Sequence, residues 1–180
     1  MTLSFRGGLC RAALAGALAL AGLAAQAIEP GQPLPVNTVA GPDGQPLALA
    51  DGQARLTYVD FWASWCGPCR QSFPWMNQLQ DKYGAKGLRV LAVNLDARRE
   101  DAQHFLAEHP ARFALGFDPQ GALARRVGVK AMPSSLLLDA SGKVVAVHQG
   151  FRTEDAAELE ARIAQALGRP LRRALHEHPP

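Results

Sequence analysis

Residues 56–69 read LTYVDFWASWCGPC, and this stretch decides the fold. Its first half is an apolar run typical of a buried strand, and its end places Gly67 and Pro68 between Cys66 and Cys69. Two cysteines at this spacing, at a strand-to-helix junction, can alternate between a dithiol and a disulfide. The first of them would precede a helix, whose dipole stabilises the thiolate that attacks disulfides. The stretch therefore predicts a redox-active pair.

The chain begins with a segment that has the pattern of a signal peptide. Arg6 and Arg11 precede an apolar run over 12–25, and the tripeptide that ends at Ala27 has small residues at the positions of a cleavage site. The run is shorter than the about 20 apolar residues that a membrane-spanning helix needs. We expect export to the periplasm and cleavage after Ala27, and an uncleaved membrane anchor is the alternative.

Composition limits the partners and the number of domains. The chain has 180 residues, with 19 Lys and Arg against 16 Asp and Glu. Loss of the predicted signal peptide, 1–27, removes two of the basic residues and leaves a nearly neutral protein, so no nucleic-acid partner is expected. It also removes Cys10, which leaves only the pair described above. We predict one domain over 28–170 and a flexible basic tail over 171–180.

Alternating strands and helices predict an α/β fold, a mixed central sheet with helices on both faces. Hydrophobic spacing predicts strands at 55–62, 88–95, 113–117, 134–138 and 143–148. The same spacing predicts helices at 68–83, 99–108 and 119–126, and a last helix with a buried stripe of Leu159, Ile163 and Leu167.

Local signals mark the ends of these elements. Pro74 should kink the first helix, and Gly84 should end it. Asp118 and Thr153 are predicted to cap the two helices that follow them, so that the first of these starts at Pro119. A turn at Gly41–Gly44 predicts a small N-terminal hairpin between extended runs at 34–39 and 46–49.

These motifs, in this order, resemble the thioredoxin superfamily, and most closely the exported TlpA/ResA-like thiol–disulfide oxidoreductases. The resemblance covers about 30–168, and the matching segments are Val59–Arg70, Phe73-Pro74, Val90–Asp96, Val127–Val129, Met132-Pro133, Leu138–Lys143 and Gly150. It implies a thioredoxin-like three-layer fold with an N-terminal β-hairpin extension. It also implies an enzyme that acts on protein disulfides without a cofactor or a metal.

The resemblance gives the two cysteines different roles. Cys66 attacks a substrate disulfide and forms a mixed disulfide, which Cys69 then resolves. A purely structural disulfide is disfavoured, because a bridge that closes so short a loop removes little chain entropy. A zinc site is also disfavoured, because zinc usually has four Cys or His ligands and only two cysteines remain in the mature chain. The alternative function is a soft-metal module that binds or delivers Cu(I) through the same two cysteines.

Two further residues are assigned to catalysis. Asp60 lies inside the apolar strand, six residues before Cys66, where burial should raise the pKa of a carboxyl. The resemblance implies that Asp60 accepts a proton from Cys69, and the alternative is a carboxylate that reaches solvent or pairs with a lysine. Pro133 matches the cis-proline of the family, whose neighbouring backbone can bind a substrate chain like a strand edge.

Four residues around the pair are assigned to substrate binding. They are Trp65, Gly67, Pro68 and Met132. Trp62 is expected in the core.

The direction of the reaction and the electron donor follow from the motif and the family. The Gly-Pro pair between the cysteines matches thioredoxin, at about −270 mV, rather than the strong oxidants near about −120 mV. Ser72 stands where many relatives have a glutamate, which indicates thioredoxin-like tuning rather than the cytochrome c maturation branch. We expect a periplasmic reductant that acts on protein disulfides, with a membrane thiol transporter of the DsbD type as its electron donor.

Overall fold

A seven-stranded mixed sheet organises the chain in the computed structural model, which describes residues 27–168. The expectations for 1–26 and for the tail lie outside the described residues. The strands are β1 (Thr38–Ala40), β2 (Pro46–Ala48), β3 (Leu56–Trp62), β4 (Leu88–Asn94), β5 (Ala114–Phe117), β6 (Ser134–Asp139) and β7 (Val144–Gln149). They are arranged in the order β2-β1-β5-β4-β3-β6-β7. β3 pairs in parallel with β4 and antiparallel with β6, and this central position suits its apolar sequence.

Within the described residues, four helices and two short 3-10 turns lie between the strands or follow the last one. The helices are α1 (Cys69–Tyr83), α2 (Arg99–Glu108), α3 (Ala122–Arg126) and α4 (Ala156–Gly168), and the turns are Gly84–Lys86 and Thr153–Asp155. α1 runs through Pro74 and ends before Gly84, as predicted. None of the described helices combines the length and the apolar character that a membrane crossing requires.

Side chains of β3 alternate between two cores. Tyr58 and Trp62 belong to a core that α1 and α4 cover, and we call this side of the sheet the α1/α4 face. Val59 and Phe61 belong to a second core on the opposite side, with residues of α3. Because successive strand residues point to opposite faces, Asp60 shares the α1/α4 face. The predicted mixed sheet with helices on both faces is confirmed.

The hairpin and two helix starts differ in detail from the prediction. The hairpin forms, but β1 begins only at Thr38, because the residues before Thr38 do not pair with β2. The start at Pro119 is wrong, because Gly121, at a φ of 62°, adds a turn before α3. Asp118 still accepts hydrogen bonds from the first backbone N–H groups of α3. Thr153 does not cap α4, since it lies in the 3-10 turn and its hydroxyl donates to Gln71.

Candidate active site

The two cysteines lie where the central strand passes into the first helix. β3 ends at Trp62, a short loop follows, and Cys69 is the first residue of α1. Cys66 and Cys69 form a disulfide with an S–S distance of 2.00 Å and a Cα–Cα distance of 5.3 Å. Cys66 is 4% exposed and Cys69 is fully buried, so Cys66 is the more accessible of the two, as expected for the attacking cysteine. The structure therefore shows the oxidised form of the pair.

A buried carboxylate that sequence reasoning did not single out fixes the loop before Cys66. Asp96, just beyond the end of β4, accepts hydrogen bonds from the backbone N–H of Ser64 at 2.9 Å and from its hydroxyl at 3.0 Å. It also accepts one from the side-chain amide of Asn94 at 2.8 Å. The only sequence signal for this role was an acidic residue directly after a buried strand. Asp96 thus ties the loop to the strand next to β3.

The residues assigned to substrate binding surround the pair. Trp65 is 71% exposed although it is a large aromatic residue, and Gly67 and Pro68 are exposed beside it. Met132 is half-buried and packs on the core that contains both cysteines. Trp65, Gly67 and Pro68 thus form an exposed, largely apolar surface next to a nearly buried disulfide.

The predicted cis-proline is confirmed. The Met132–Pro133 peptide bond is cis, and the Pro133 carbonyl accepts a hydrogen bond from Gly150 at 2.8 Å. Ser134, the next residue, pairs with Phe61 near the end of β3. This register places Pro133 at the same edge of the sheet as the cysteine loop.

Asp60 is buried inside the sheet. Its side chain lies on the α1/α4 face between Tyr58 and Trp62, and its residue is 2% exposed. Desolvation raises the pKa of its carboxyl well above the ordinary value. Among the described residues, its Oδ2 atom has no hydrogen-bond partner. Burial rules out the alternative of a carboxylate that reaches solvent, and within 27–168 Asp60 makes no ion pair with a lysine.

A row of polar side chains continues from Asp60 across the sheet, and sequence reasoning missed it. Asp60 pairs with Ser135 of β6, and Ser135 pairs with His148 of β7. Directly paired strand residues point to the same face, so all three lie on the α1/α4 face. Tyr58 lies on the same face two residues before Asp60, and its pKa is raised by burial and by the Asp60 charge. Only the strand register reveals this row.

An aromatic cluster supports the start of α1. The Phe73 ring contacts the rings of Trp62, Phe105 and Phe113, with centroids 4.8, 4.9 and 5.3 Å apart. Trp62 is fully buried, which confirms its expected place in the core. Trp75, which follows Pro74, is also buried and contacts Tyr58. This packing fixes the helix that carries Cys69.

No cluster of three or more His, Cys, Asp or Glu side chains suited to a metal ion occurs within residues 27–168.

Comparison with known proteins gives a consistent set of relatives. The Redoxin family matches residues 29–163. The thiol-disulfide oxidoreductase ResA of Bacillus thuringiensis subsp. konkukian is 30% identical over 131 residues, which are 73% of this chain and 76% of the relative.

Two solved structures share the architecture. A Chlorobium tepidum protein assigned as the thiol:disulfide interchange protein DsbE is 52% identical, with a TM-score of 0.74, and the match covers 79% of this chain and all of that one. A secreted disulfide oxidoreductase of Mycobacterium tuberculosis is 22% identical, with a TM-score of 0.60 and coverage of 71% of this chain and 94% of that one. The second of these similarities concerns the fold alone.

Proposed function

The chain belongs to the Redoxin family, as a ResA-like thiol–disulfide oxidoreductase of the thioredoxin superfamily, and from that premise we propose that it reduces protein disulfides in the periplasm. The observation that carries the proposal is the cysteine pair at the start of α1, with a cis-proline at the same edge of the sheet and a buried carboxyl group on the sheet face that α1 covers. Its exposed surroundings suit a protein chain as substrate.

The reaction takes place in two exchanges. In the reduced enzyme, the Cys66 thiolate attacks one sulfur of the substrate disulfide, and the other substrate sulfur leaves as a thiolate that takes up a proton. Cys69 then gives its proton to Asp60 and attacks Cys66. The bond between Cys66 and the substrate breaks, the second substrate sulfur leaves as a thiolate that takes up a proton from solvent, and two electrons have passed from the enzyme to the substrate. The enzyme is left with the disulfide seen in the structure.

Support for reduction comes from the residues around the cysteines. Gly67 and Pro68 separate them as in thioredoxin, which has a potential of about −270 mV. Ser72 is buried and donates its hydroxyl hydrogen to the carbonyl of Cys69 at 3.2 Å. It contributes a neutral group where many relatives have a glutamate, so Asp60 is the acidic group assigned to the pair. Equilibration with glutathione buffers should give a potential more negative than about −150 mV, and a more positive value would indicate an oxidant.

The proposal includes a location and an electron donor. The signal-peptide pattern over 1–27 supports export. A reductant in an oxidising compartment needs a supply of electrons, and a membrane thiol transporter of the DsbD type supplies them to similar proteins. Deletion of such a transporter should leave the protein fully oxidised in cells, as measured by alkylation of free thiols.

Trapping identifies the substrates and tests the order of attack. The Cys69→Ser variant should accumulate mixed disulfides on Cys66 that dithiothreitol releases. The Cys66→Ser variant is the matched control and should accumulate far fewer. Equal adducts on both variants would contradict the assigned roles.

A second experiment tests the proton acceptor. Asp60→Asn should slow the resolution of a mixed disulfide between pH 6 and 8, by about a hundredfold or more if Asp60 acts as a direct general base. Asp118→Asn is the control, because Asp118 is also a buried carboxylate but caps α3. An unchanged rate in Asp60→Asn would mean that water or the substrate takes the proton.

A further inference from the structure

Asp60 is buried, yet a group that gains and loses protons must exchange them with solvent. Both cysteines and the neighbours Tyr58 and Trp62 belong to the hydrophobic core of the α1/α4 face, which offers Asp60 no polar route to solvent. The paired residues Asp60, Ser135 and His148 form a polar row that leads the other way, from β3 across β6 to β7. Directly paired side chains have Cβ atoms about 5 Å apart, so each is within reach of the next, directly or through one water.

A small cavity, partly open to the protein surface, lies beside this row. It has a volume of about 30 Å³, between the sheet and α4, and its polar lining includes the side chains of Tyr58, Ser135 and His148. A space of about 10–15 Å³ is enough for one water molecule when two or more polar groups face it. The Nε2 atom of His148 is buried without a hydrogen-bond partner among the described residues. The cavity therefore places a space large enough for one water molecule beside the Ser135 hydroxyl and an unpaired ring nitrogen.

An open groove lies on the outer side of the same histidine. It has a volume of about 210 Å³ and is lined by His148, Arg152, Asp155, Glu158, Leu159 and Arg162. His148 is half-buried, and it lines both the small cavity and this groove. It thus lies at the border between the cavity beside Ser135 and the groove.

We propose that His148 carries protons between the buried Asp60 carboxyl group and solvent through Ser135, directly or with the help of a water in the small cavity. The proposal rests on the proposed function, in which Asp60 accepts the Cys69 proton. The proton on Asp60 passes to the Ser135 hydroxyl, which gives its own proton to Nε2 of His148, directly or through a water in the small cavity. The other ring nitrogen releases a proton to the groove. No electrons move, and the reverse sequence reprotonates Asp60.

The charges that face His148 are paired with one another. The titratable and charged groups on the elements packed around it are Tyr58, Arg152, Asp155, Glu158 and Arg162. Arg152 pairs with Asp155 at 2.8 Å, and Arg162 pairs with Glu158. The hydrogen bond from Arg152 is the main cause that lowers the pKa of Asp155, and a charge on His148 lowers it further. The groove thus gives the His148 ring access to water and places it near the Asp155 carboxylate, which can stabilise the charged form of the ring.

Hydrogen–deuterium exchange of the Asp60 carboxyl group tests the proposal directly. Rapid mixing of the oxidised protein with D2O, at a pH where Asp60 is protonated, shifts the infrared C=O band of the acid, and Asp60→Asn identifies that band by its loss. His148→Gln keeps a polar side chain of similar size but cannot relay a proton, so it should slow the exchange about tenfold. This is less than the about 10²–10⁴ of a direct general base, because slower routes remain. His109→Gln is the control and should exchange at the wild-type rate, since His109 contacts Phe105 near α2.

Chemical rescue separates proton transfer from packing. His148→Ala joins the groove to the small cavity, and added imidazole should restore most of the rate of hydrogen–deuterium exchange at Asp60. Wild-type exchange in His148→Gln, or failure of imidazole to restore exchange in a folded His148→Ala protein, would overturn the proposal. Failure of the proposed function is a different result: Asp60→Asn would then resolve mixed disulfides at the wild-type rate, whatever the exchange measurements show.

Discussion

Removal of the Asp96 carboxylate should both destabilise the protein and loosen the loop before Cys66. Asp96 is 5% exposed and accepts hydrogen bonds from the backbone and hydroxyl of Ser64 and from the amide of Asn94. In Asp96→Ala, the Ser64 hydroxyl can turn to water because Ser64 is half-buried. The Ser64 N–H and the Asn94 amide lose their acceptor in a buried setting.

The expected magnitude follows from those two donors. A buried donor left without a partner costs about 1–3 kcal/mol, so Asp96→Ala should lower the free energy of unfolding by about 4 kcal/mol. At about 2–4 °C per kcal/mol for a domain of this size, the melting temperature should fall by about 10 °C. Asp96→Asn keeps one acceptor oxygen and should lose about half as much.

Asp118→Ala provides a matched control for this experiment. Asp118 is 8% exposed and accepts hydrogen bonds from three backbone N–H groups of α3, on the other core of the sheet. Urea denaturation should show comparable losses of stability in both alanine variants. Only Asp96→Ala should change the rate at which the reduced protein cleaves a model disulfide. A loss below about 1 kcal/mol in Asp96→Ala, or an equal rate change in Asp118→Ala, would refute the reasoning.

Three further predictions concern the carboxyl, the thiol and the aromatic cluster. Burial raises the pKa of Asp60 in the folded state, so the contribution of the protonated carboxyl group to stability is present below its unfolded pKa and is lost as pH rises through its folded pKa. Asp60→Asn should therefore gain stability relative to wild type as pH rises from 4 to 8, as measured by urea titrations. A difference in stability that does not depend on pH would contradict this. In the reduced protein, Cys66 should titrate below the ~8.5 of a free thiol because it precedes α1, and alkylation rates against pH would show a value at or above 8.5 if the helix had no effect. Phe73→Ala should cost about 3–5 kcal/mol in chemical denaturation, because Phe73 is 1% exposed among three aromatic rings, whereas a cost below about 1 kcal/mol would mean that the site collapses around the change.

The central part of the fold was predictable because its signals are local. The apolar run of β3, the cysteine spacing and the helical spacing of α1 lie in one continuous segment. The strand, the helix and the cysteine pair at their junction form as predicted. The starts of α3 and α4 were wrong because backbone geometry decided them. The left-handed Gly121 adds a turn, and Thr153 donates to Gln71 instead of capping. A single sequence gives little sign of either.

The candidate site divides in the same way. The cis bond before Pro133 and the burial of Asp60 follow from motif and strand pattern. The roles of Asp96 and His148 depend on which strands are neighbours and in which register they pair. Ser64 and Asp96 are 32 residues apart in sequence, and their contact exists only because β3 lies beside β4. Such long-range contacts cannot be derived from spacing along the chain.

The central place of β3 also has a consequence for motion. β3 pairs along its whole length with β4 and along nearly all of it with β6, so its backbone amides should exchange with solvent only when the entire domain unfolds. The loop after Trp62 and the segment before Ser134 lie outside this ladder and can open at lower free energy. We therefore expect any movement that exposes the nearly buried Cys66 to a substrate chain to occur in these two segments, while the paired strand beneath them stays in place.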